Sequence, residues 1–450
     1  MLAAELLLLE VFLWEYIDRR RSREYIAQYK PFPLPPEDER FFDPSSVSVI
    51  VPTIDWDPAS FTKSLCSWLA NEPGEVIIVT TDAEIRAAHA LVNSPAVQAA
   101  LTTAATTSIK VRGVAEANKR DQLIEGINES CGPIIALVDD DAIWEPTTLL
   151  YLLAPFEDVG VGLVGGPIES YLPDDRKHPD VITAWETAAL RNRSRRRGGN
   201  KAFYVADGST NFTLSGATMF VRASIVRDEG FQTQFANETF LGVRQNSGDD
   251  SFITRWVLFQ HLRAERPQSQ NQKRQQHQGV RKQWKLGMQL VPEAQVSTTL
   301  MTDSRFAGQM KRWMRTGLRF RLTCLLSDPG FRGFRRTAPY MCRKMVESMY
   351  SPLLTLLWYL AFFLTLWKRP IVGSLVAGYY IYGIVSGLRA FVKEFPFCRR
   401  YVWAAFLADK VSLVSDWYCW ATLPTERWYS RKTVDNTQQP PAPPPRMSLD

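Results

Sequence analysis

The sequence predicts an α/β domain on a mainly parallel, mixed sheet, followed by interfacial and membrane-spanning helices. Three observations carry this. Short apolar runs alternate with helical stretches from Val47 to Val138, acidic residues fall where two of those runs end, and two long apolar runs stand in the C-terminal third. Strand–helix alternation of this kind gives helix-covered parallel sheets, and such sheets bind ligands beyond the carboxyl ends of their strands.

Val47–Val51 reads as a strand ending at Pro52, Glu75–Thr80 as a second closing on Thr81 and Asp82, and Ile109–Val111 as a third. Glu116–Asn128 reads as a helix, and Ile134–Val138 as a buried strand running into Asp139, Asp140 and Asp141. Residues 47–305 form the α/β domain. The preceding residues 1–46 hold an apolar stretch, Leu2–Ile17, broken by Glu5, Glu10 and Glu15, then the Arg19–Arg23 cluster and a proline-rich linker. Too short for a clear span, that stretch reads as an interfacial helix or anchor with a cytosolic flank. The positive charge follows the apolar run instead of preceding it, which argues against a cleaved signal peptide. Residues 261–282, rich in Gln, Arg and Lys without apolar period, read as a solvated insertion.

Residues 306–350 read as interfacial helices. Ser351–Trp367 and Ile371–Val392 are of membrane-span type, joined by Lys368, Arg369 and Pro370 as a hairpin with aromatic residues at its ends. Tyr401–Leu423 contains Asp409, Lys410 and Asp416, and either lies in the interface or lines a polar path. Residues 424–450 end in a proline- and glutamine-rich tail. The net charge of +6, from 53 basic and 47 acidic side chains, suits an anionic substrate or a membrane surface and is too weak to argue for nucleic acid. Arg191, Arg193, Arg195, Arg196 and Arg197 form a basic run that reads as a solvated loop or lipid-facing rim. Six scattered cysteines and four histidines give no zinc spacing and fit a reduced, cytosolic setting.

Asp139, Asp140 and Asp141 repel one another unless a cation neutralises them, and oxygen-only ligands favour Mg²⁺ or Mn²⁺. A solvated acidic turn would look the same. Gly248, Asp249 and Asp250 open an apolar helix, which also suits a plain acidic helix N-terminus. Gln309, Arg312 and Trp313 put an amide, a cation and a flat ring in one turn. Arginine grips diphosphate oxygens bidentately and tryptophan offers a face for a sugar, although an interfacial helix has the same composition.

The order of these elements is more specific than any of them. From Val47 to Lys432 the chain resembles the processive family 2 glycosyltransferases, the hyaluronan, chitin and cellulose synthases, and most of all the fungal type 2 glycosyltransferases and capsular polysaccharide synthase-like proteins. The resemblance implies a nucleotide-sugar-binding, GT-A-like mixed-sheet domain with C-terminal interfacial and transmembrane helices, on the cytosolic side of a multi-pass membrane protein of the plasma membrane. Pro52, Asp82, Lys119, Arg120, Asp139, Gln309, Arg312 and Arg431 match positions that bind the nucleotide sugar. Asp139 and Asp141 match metal-binding positions, for Mg²⁺ or Mn²⁺. Ser215, Gly216, Asp249 and Trp313 match the acceptor side, Arg222 completes its S-G-x-x-x-x-x-R stretch, and Asp250 matches the catalytic base. Trp428 to Arg431 resembles a W-G-T-R element, with Tyr429 in place of glycine. The implied reaction is inverting transfer, from a UDP-sugar, onto a growing polysaccharide that is exported through the bilayer. Alternatives are a non-processive transferase acting on a lipid phosphate, a metal-dependent phosphotransferase, and an inactive scaffold.

Overall fold

The computed structural model describes residues 2–195, 199–264 and 283–425. Most of the expected insertion, Arg196 and Arg197 of the basic run, and the Trp428–Arg431 element lie outside the described residues. The chain runs through α1 (Leu2–Gln28), β1 (Val47–Pro52), α2 (Pro58–Leu69), β2 (Glu75–Thr81), α3 (Ile85–Val92), α4 (Pro95–Thr103), β3 (Ser108–Val114), α5 (Lys119–Glu129), β4 (Ile134–Val138), β5 (Ala142–Trp144), α6 (Thr148–Leu153), β6 (Val161–Gly165) and β7 (Ile168–Tyr171). Then come α7 (Ala184–Ser194), α8 (Gly199–Ala206), β8 (Thr218–Arg222), α9 (Ala223–Val226), α10 (Glu229–Ala236), β9 (Thr239–Phe240), β10 (Val243–Arg244), α11 (Asp249–Ala264), β11 (Lys285–Met288) and β12 (Val296–Thr299). The C-terminal part is helical: α12 (Arg305–Leu326), α13 (Phe331–Thr337), α14 (Pro339–Lys368), α15 (Pro370–Glu394), α16 (Val402–Lys410) and α17 (Ser412–Ala421).

The main sheet has the order β11-β6-β8-β4-β1-β2-β3, and β5-β12-β7 form a smaller one. β1 pairs in parallel with β2 and β4, whereas β8 runs antiparallel to both β4 and β6. This reversal matters for the site: with Val138 opposite Thr218, the amino end of β8 lies at the carboxyl end of β4. Alternate β1 side chains enter two cores. Val47, Val49 and Val51 pack with Phe61, Leu65 and Trp68 of α2, and Ile50 packs with Leu123 and Ile127 of α5. Apolar burial on both faces explains why β1, β2 and β4 are continuous apolar runs.

α14 and α15 are long and apolar enough to cross a bilayer, with mean hydropathy 1.6 in each, and they expose Leu353, Leu360, Phe363, Trp367, Ile371 and Leu375. The expected boundary between an interfacial helix ending at Tyr350 and a span starting at Ser351 is not seen. One helix of 30 residues runs through both, with Pro352 inside it. Its amino end is capped from the α/β domain, since the backbone amides of Tyr340 and Met341 donate to the Asp207 carboxylate at 2.8 and 2.7 Å. α1 is a single 27-residue helix lying antiparallel along α14: Glu5 pairs with Arg369 at 2.9 Å, and Asp18 pairs with Lys344 at 2.6 Å and Arg343 at 3.2 Å. Tyr401–Leu423 forms α16 and α17, of 9 and 10 residues, each far short of the roughly 20 needed to span.

Candidate active site

β4 ends as the chain leaves the sheet, so Asp139, Asp140 and Asp141 fan out over its carboxyl edge, each with a different partner. Asp139 accepts from the Lys119 ammonium at 2.8 Å. Asp140 accepts from the Thr53 hydroxyl at 2.6 Å, just past β1, and Asp141 from the Thr299 hydroxyl at 3.1 Å, at the end of β12. Lys119 opens α5, whose cap is the Asn118 side chain accepting from the amides of Arg120 and Asp121. Its ammonium also reaches Asp249 at 2.9 Å. Burial opposes the charge on Lys119, but the Asp139 and Asp249 carboxylates outweigh it and hold the ammonium above the usual lysine range. Burial raises Asp139 despite that lysine. Asp249 is also buried, yet Lys119 brings it below its ordinary value.

Asp250 follows on the first turn of α11. Gly248 sits before it with φ +76°, and a Cβ there would lie 2.7 Å from Thr316 on α12, so both conformation and space call for glycine. A Cβ on Gly216 would lie 3.3 Å from that of Asp250, which brings the chain ahead of β8 against the two carboxylates. Burial and the neighbouring Asp249 charge push Asp250 up to about 6. Poise near neutrality therefore comes from desolvation and a like charge, against the stabilisation of the carboxylate that a helix N-terminus would give.

These residues line a cavity of about 820 Å³, of the size usual for ligand pockets. Pro52, Lys119, Asp139, Asp141, Ser215, Gly216, Asp249 and Asp250 form its sheet side, and Gln309, Arg312 and Trp313 reach it from α12. Three expectations need correction. Arg120 turns away from the cavity. It is 1% exposed, donates to the Phe235 carbonyl at 2.8 Å and pairs with Glu238 at 2.7 Å. Glu238 also holds Arg255 of α11, so this buried pair of arginines ties the Lys119 helix to the Asp250 helix. Arg222 lies at the far end of β8 from Gly216 and donates to the carbonyls of Val161 and Phe156, so it does not line the cavity with Ser215 and Gly216. Asp82 stands exposed at the end of β2, its amide bonded to Val114, and is not among the residues lining the cavity. Conversely, Glu169, Asn192, Arg193, Arg195 and Lys201 do line it. Only the basic run hinted at any of these.

Among the described residues no three His, Cys, Asp or Glu side chains converge on one point. Asp139 and Asp141 thus offer oxygen ligands but no complete cage. This fits Mg²⁺ or Mn²⁺, which is commonly held by one or two carboxylates with the remainder of its shell from water and substrate phosphates.

A family profile described as "glycosyltransferase like family 2" matches residues 44–316. The chain belongs to the family 2 glycosyltransferases. It is similar to the NDP-glycosyltransferase ltbB of Aspergillus luteorubrus, 32% identical over 426 residues, which is 94% of this chain and 96% of that protein. A type 2 glycosyltransferase of Zymoseptoria tritici is 31% identical over 326 residues, covering 72% of this chain and 60% of that one. Among solved structures, the mannosyltransferase PcManGT from Pyrobaculum calidifontis, in complex with GDP-Man and Mn²⁺, superposes with a TM-score of 0.52 at 14% identity, over 91% of this chain and 97% of that one. The fold of this family 2 glycosyltransferase is therefore the GT-A-like mixed sheet, and its reaction is sugar transfer from a nucleotide-activated donor to an acceptor.

Proposed function

We propose that this glycosyltransferase works at the cytosolic face of a membrane, the plasma membrane by its family resemblance, and adds sugar from a UDP-sugar, with inversion, to a growing polysaccharide. The observation that carries this reading is α12. It sets Gln309, Arg312 and Trp313 on the cavity that holds Asp139–Asp141 and Asp250, and two helices further on the chain enters the apolar hairpin α14–α15. A sugar face and a diphosphate grip at the membrane side of the donor site are what an enzyme needs to hold a polymer end while extending it.

In this reading Asp250 takes the proton of the acceptor hydroxyl as its oxygen attacks the anomeric carbon. Trp313, Ser215 and Gly216 position the acceptor. Lys119 and Arg312 meet the charge that develops on the departing diphosphate, while Pro52 and Gln309 serve the nucleotide side. Asp139 and Asp141 would hold Mg²⁺ or Mn²⁺, which supplies further charge neutralisation when bound. The neighbouring fold bound to GDP-Man and Mn²⁺ supports a divalent ion and makes GDP-sugars the natural comparison. Purified protein in detergent, given a panel of UDP- and GDP-sugars, should release free nucleoside diphosphate from one UDP-sugar and yield a polymer. Transfer restricted to a single sugar on a lipid phosphate would overturn the processive reading.

The same reading fixes topology. Arg315 and Arg319 of α12 both hold the Thr425 carbonyl, and Arg319 holds that of Leu423 at 3.0 Å. Thus the described chain after the hairpin returns to α12 on the side of the α/β domain, and the family resemblance assigns Trp428–Arg431 to the nucleotide side. A cysteine introduced at Ser430 should be labelled only from the cytosolic side; labelling from the exterior would overturn this arrangement.

A further inference from the structure

Arg191, Arg193 and Arg195 occupy alternate positions at the end of α7. Arg191 and Arg195, four apart, share a helix face, and both pair with Asp409 of α16, at 2.7 and 3.0 Å. Arg191 also donates to the Gly387 carbonyl of α15 at 3.1 Å. The segment after the apolar hairpin therefore grips one side of α7. Arg193, between them, lines the cavity, as Arg195 also does at its edge. Burial holds its guanidinium below the usual arginine range, while the Asp141 and Glu169 carboxylates attract it without an ion pair or hydrogen bond. Among the described residues Arg193 makes neither. A half-buried cation with no contacting anion is costly, and an anionic ligand in the cavity would offset that cost.

We propose that Arg193 binds the diphosphate of the nucleotide sugar as a second guanidinium beside Arg312, and that Asp409 is the positioning residue that aims it. The diphosphate is the anion indicated because Arg193 shares the cavity lining with Arg312 and with Asp139 and Asp141, the donor-side carboxylates of the proposed function. The proposal rests on the nucleotide-sugar reading, and two probes separate them. UDP and GDP carry the diphosphate, whereas uridine and guanosine lack it.

Binding of each probe to the full chain in detergent is the measurement. Charge-assisted hydrogen bonds of this kind are worth about 10- to 100-fold in affinity. Arg193→Ala should weaken binding of the preferred nucleoside diphosphate by about that much and leave the nucleoside alone, with Arg193→Lys intermediate. Asp409→Asn should weaken the diphosphate several-fold with the same selectivity. Arg191→Gln, which breaks the same pair from α7, should reproduce it, so a poorly folding Asp409 variant does not end the test. Nucleoside diphosphate affinity within twofold of wild type in Arg193→Ala overturns the proposal. Equal loss of nucleoside and diphosphate in the Asp409 and Arg191 variants overturns the positioning role. A wild-type protein that binds neither UDP nor GDP overturns the nucleotide reading, and this proposal with it.

Discussion

Asp250→Asn should leave UDP binding near the wild-type level and lower turnover by about 10²- to 10⁴-fold, the usual contribution of a general base. An asparagine fills the same space at the head of α11 and cannot take the acceptor proton. The wild-type rate should rise with pH along an acid limb centred near 6, where burial and the Asp249 charge place this carboxyl. Asp249→Asn removes that like charge, so the limb should move to lower pH. Its loss of rate should be the smaller of the two, because Lys119 keeps Asp139. Stability gives an independent check. The folded-state value of Asp250 lies above its ordinary 3.8, so its contribution is present below pH 3.8 and is lost as pH climbs through about 6. Asp250→Asn should therefore melt higher than wild type at pH 8 and about equally at pH 4. Near-normal turnover in Asp250→Asn, or a pH limb that does not move in Asp249→Asn, would sink the assignment.

The parts of this molecule legible in the sequence are those fixed by local rules. β4 is bounded as its apolar run is bounded, because a fully buried strand must stop where three carboxylates begin. The Gly248–Asp250 turn shows itself through a glycine that only a left-handed backbone requires. What stays hidden depends on direction and distant packing. Lys119 and Arg120 are adjacent, yet one step along a helix is about 100°: the first meets Asp139 and Asp249, the second goes into the core against Glu238. Nothing in a Lys-Arg pair says which residue faces the ligand. Arg193 was lost in a basic run for the same reason, since alternate arginines look like a solvated face until Asp409, more than 200 residues away, claims two of them. β8 reads as any apolar strand, and its reversal, which brings Ser215 and Gly216 to the site and takes Arg222 away, is set by its neighbours in the sheet. α14 hid its continuity behind Pro352, which removes its own amide from the ladder and crowds the carbonyl one turn back, and is tolerated where the turn can adjust.

Removal of divalent ions should abolish transfer, and addition of Mg²⁺ or Mn²⁺ to the chelated enzyme should restore it. The physical reason lies in how the three carboxylates of the Asp139–Asp141 run are spent. Lys119 is shared between Asp139 and Asp249, and Asp140 is turned back to Thr53. One lysine therefore serves two carboxylates, Asp249 buried and Asp139 partly so, where in the proposed function a diphosphate with its own negative charges enters. Coulomb repulsion in such a site is far larger than in water, and fixed cations such as Arg312 cannot cancel all of it. Asp141, against Thr299 at the rim of β12, is the carboxylate best placed to share a cation with the substrate. Asp141→Asn should raise the Mn²⁺ concentration needed for half-maximal activity at least about tenfold, the scale seen when the support of a metal site is lost. Mn²⁺ binding followed by electron paramagnetic resonance with UDP present should weaken in parallel, which separates loss of the ion from loss of catalysis. Asp139→Asn should do more: it also releases Lys119, so both ion affinity and UDP affinity should fall. Full activity in excess chelator, or unchanged Mn²⁺ binding in Asp141→Asn, would remove the metal from this site.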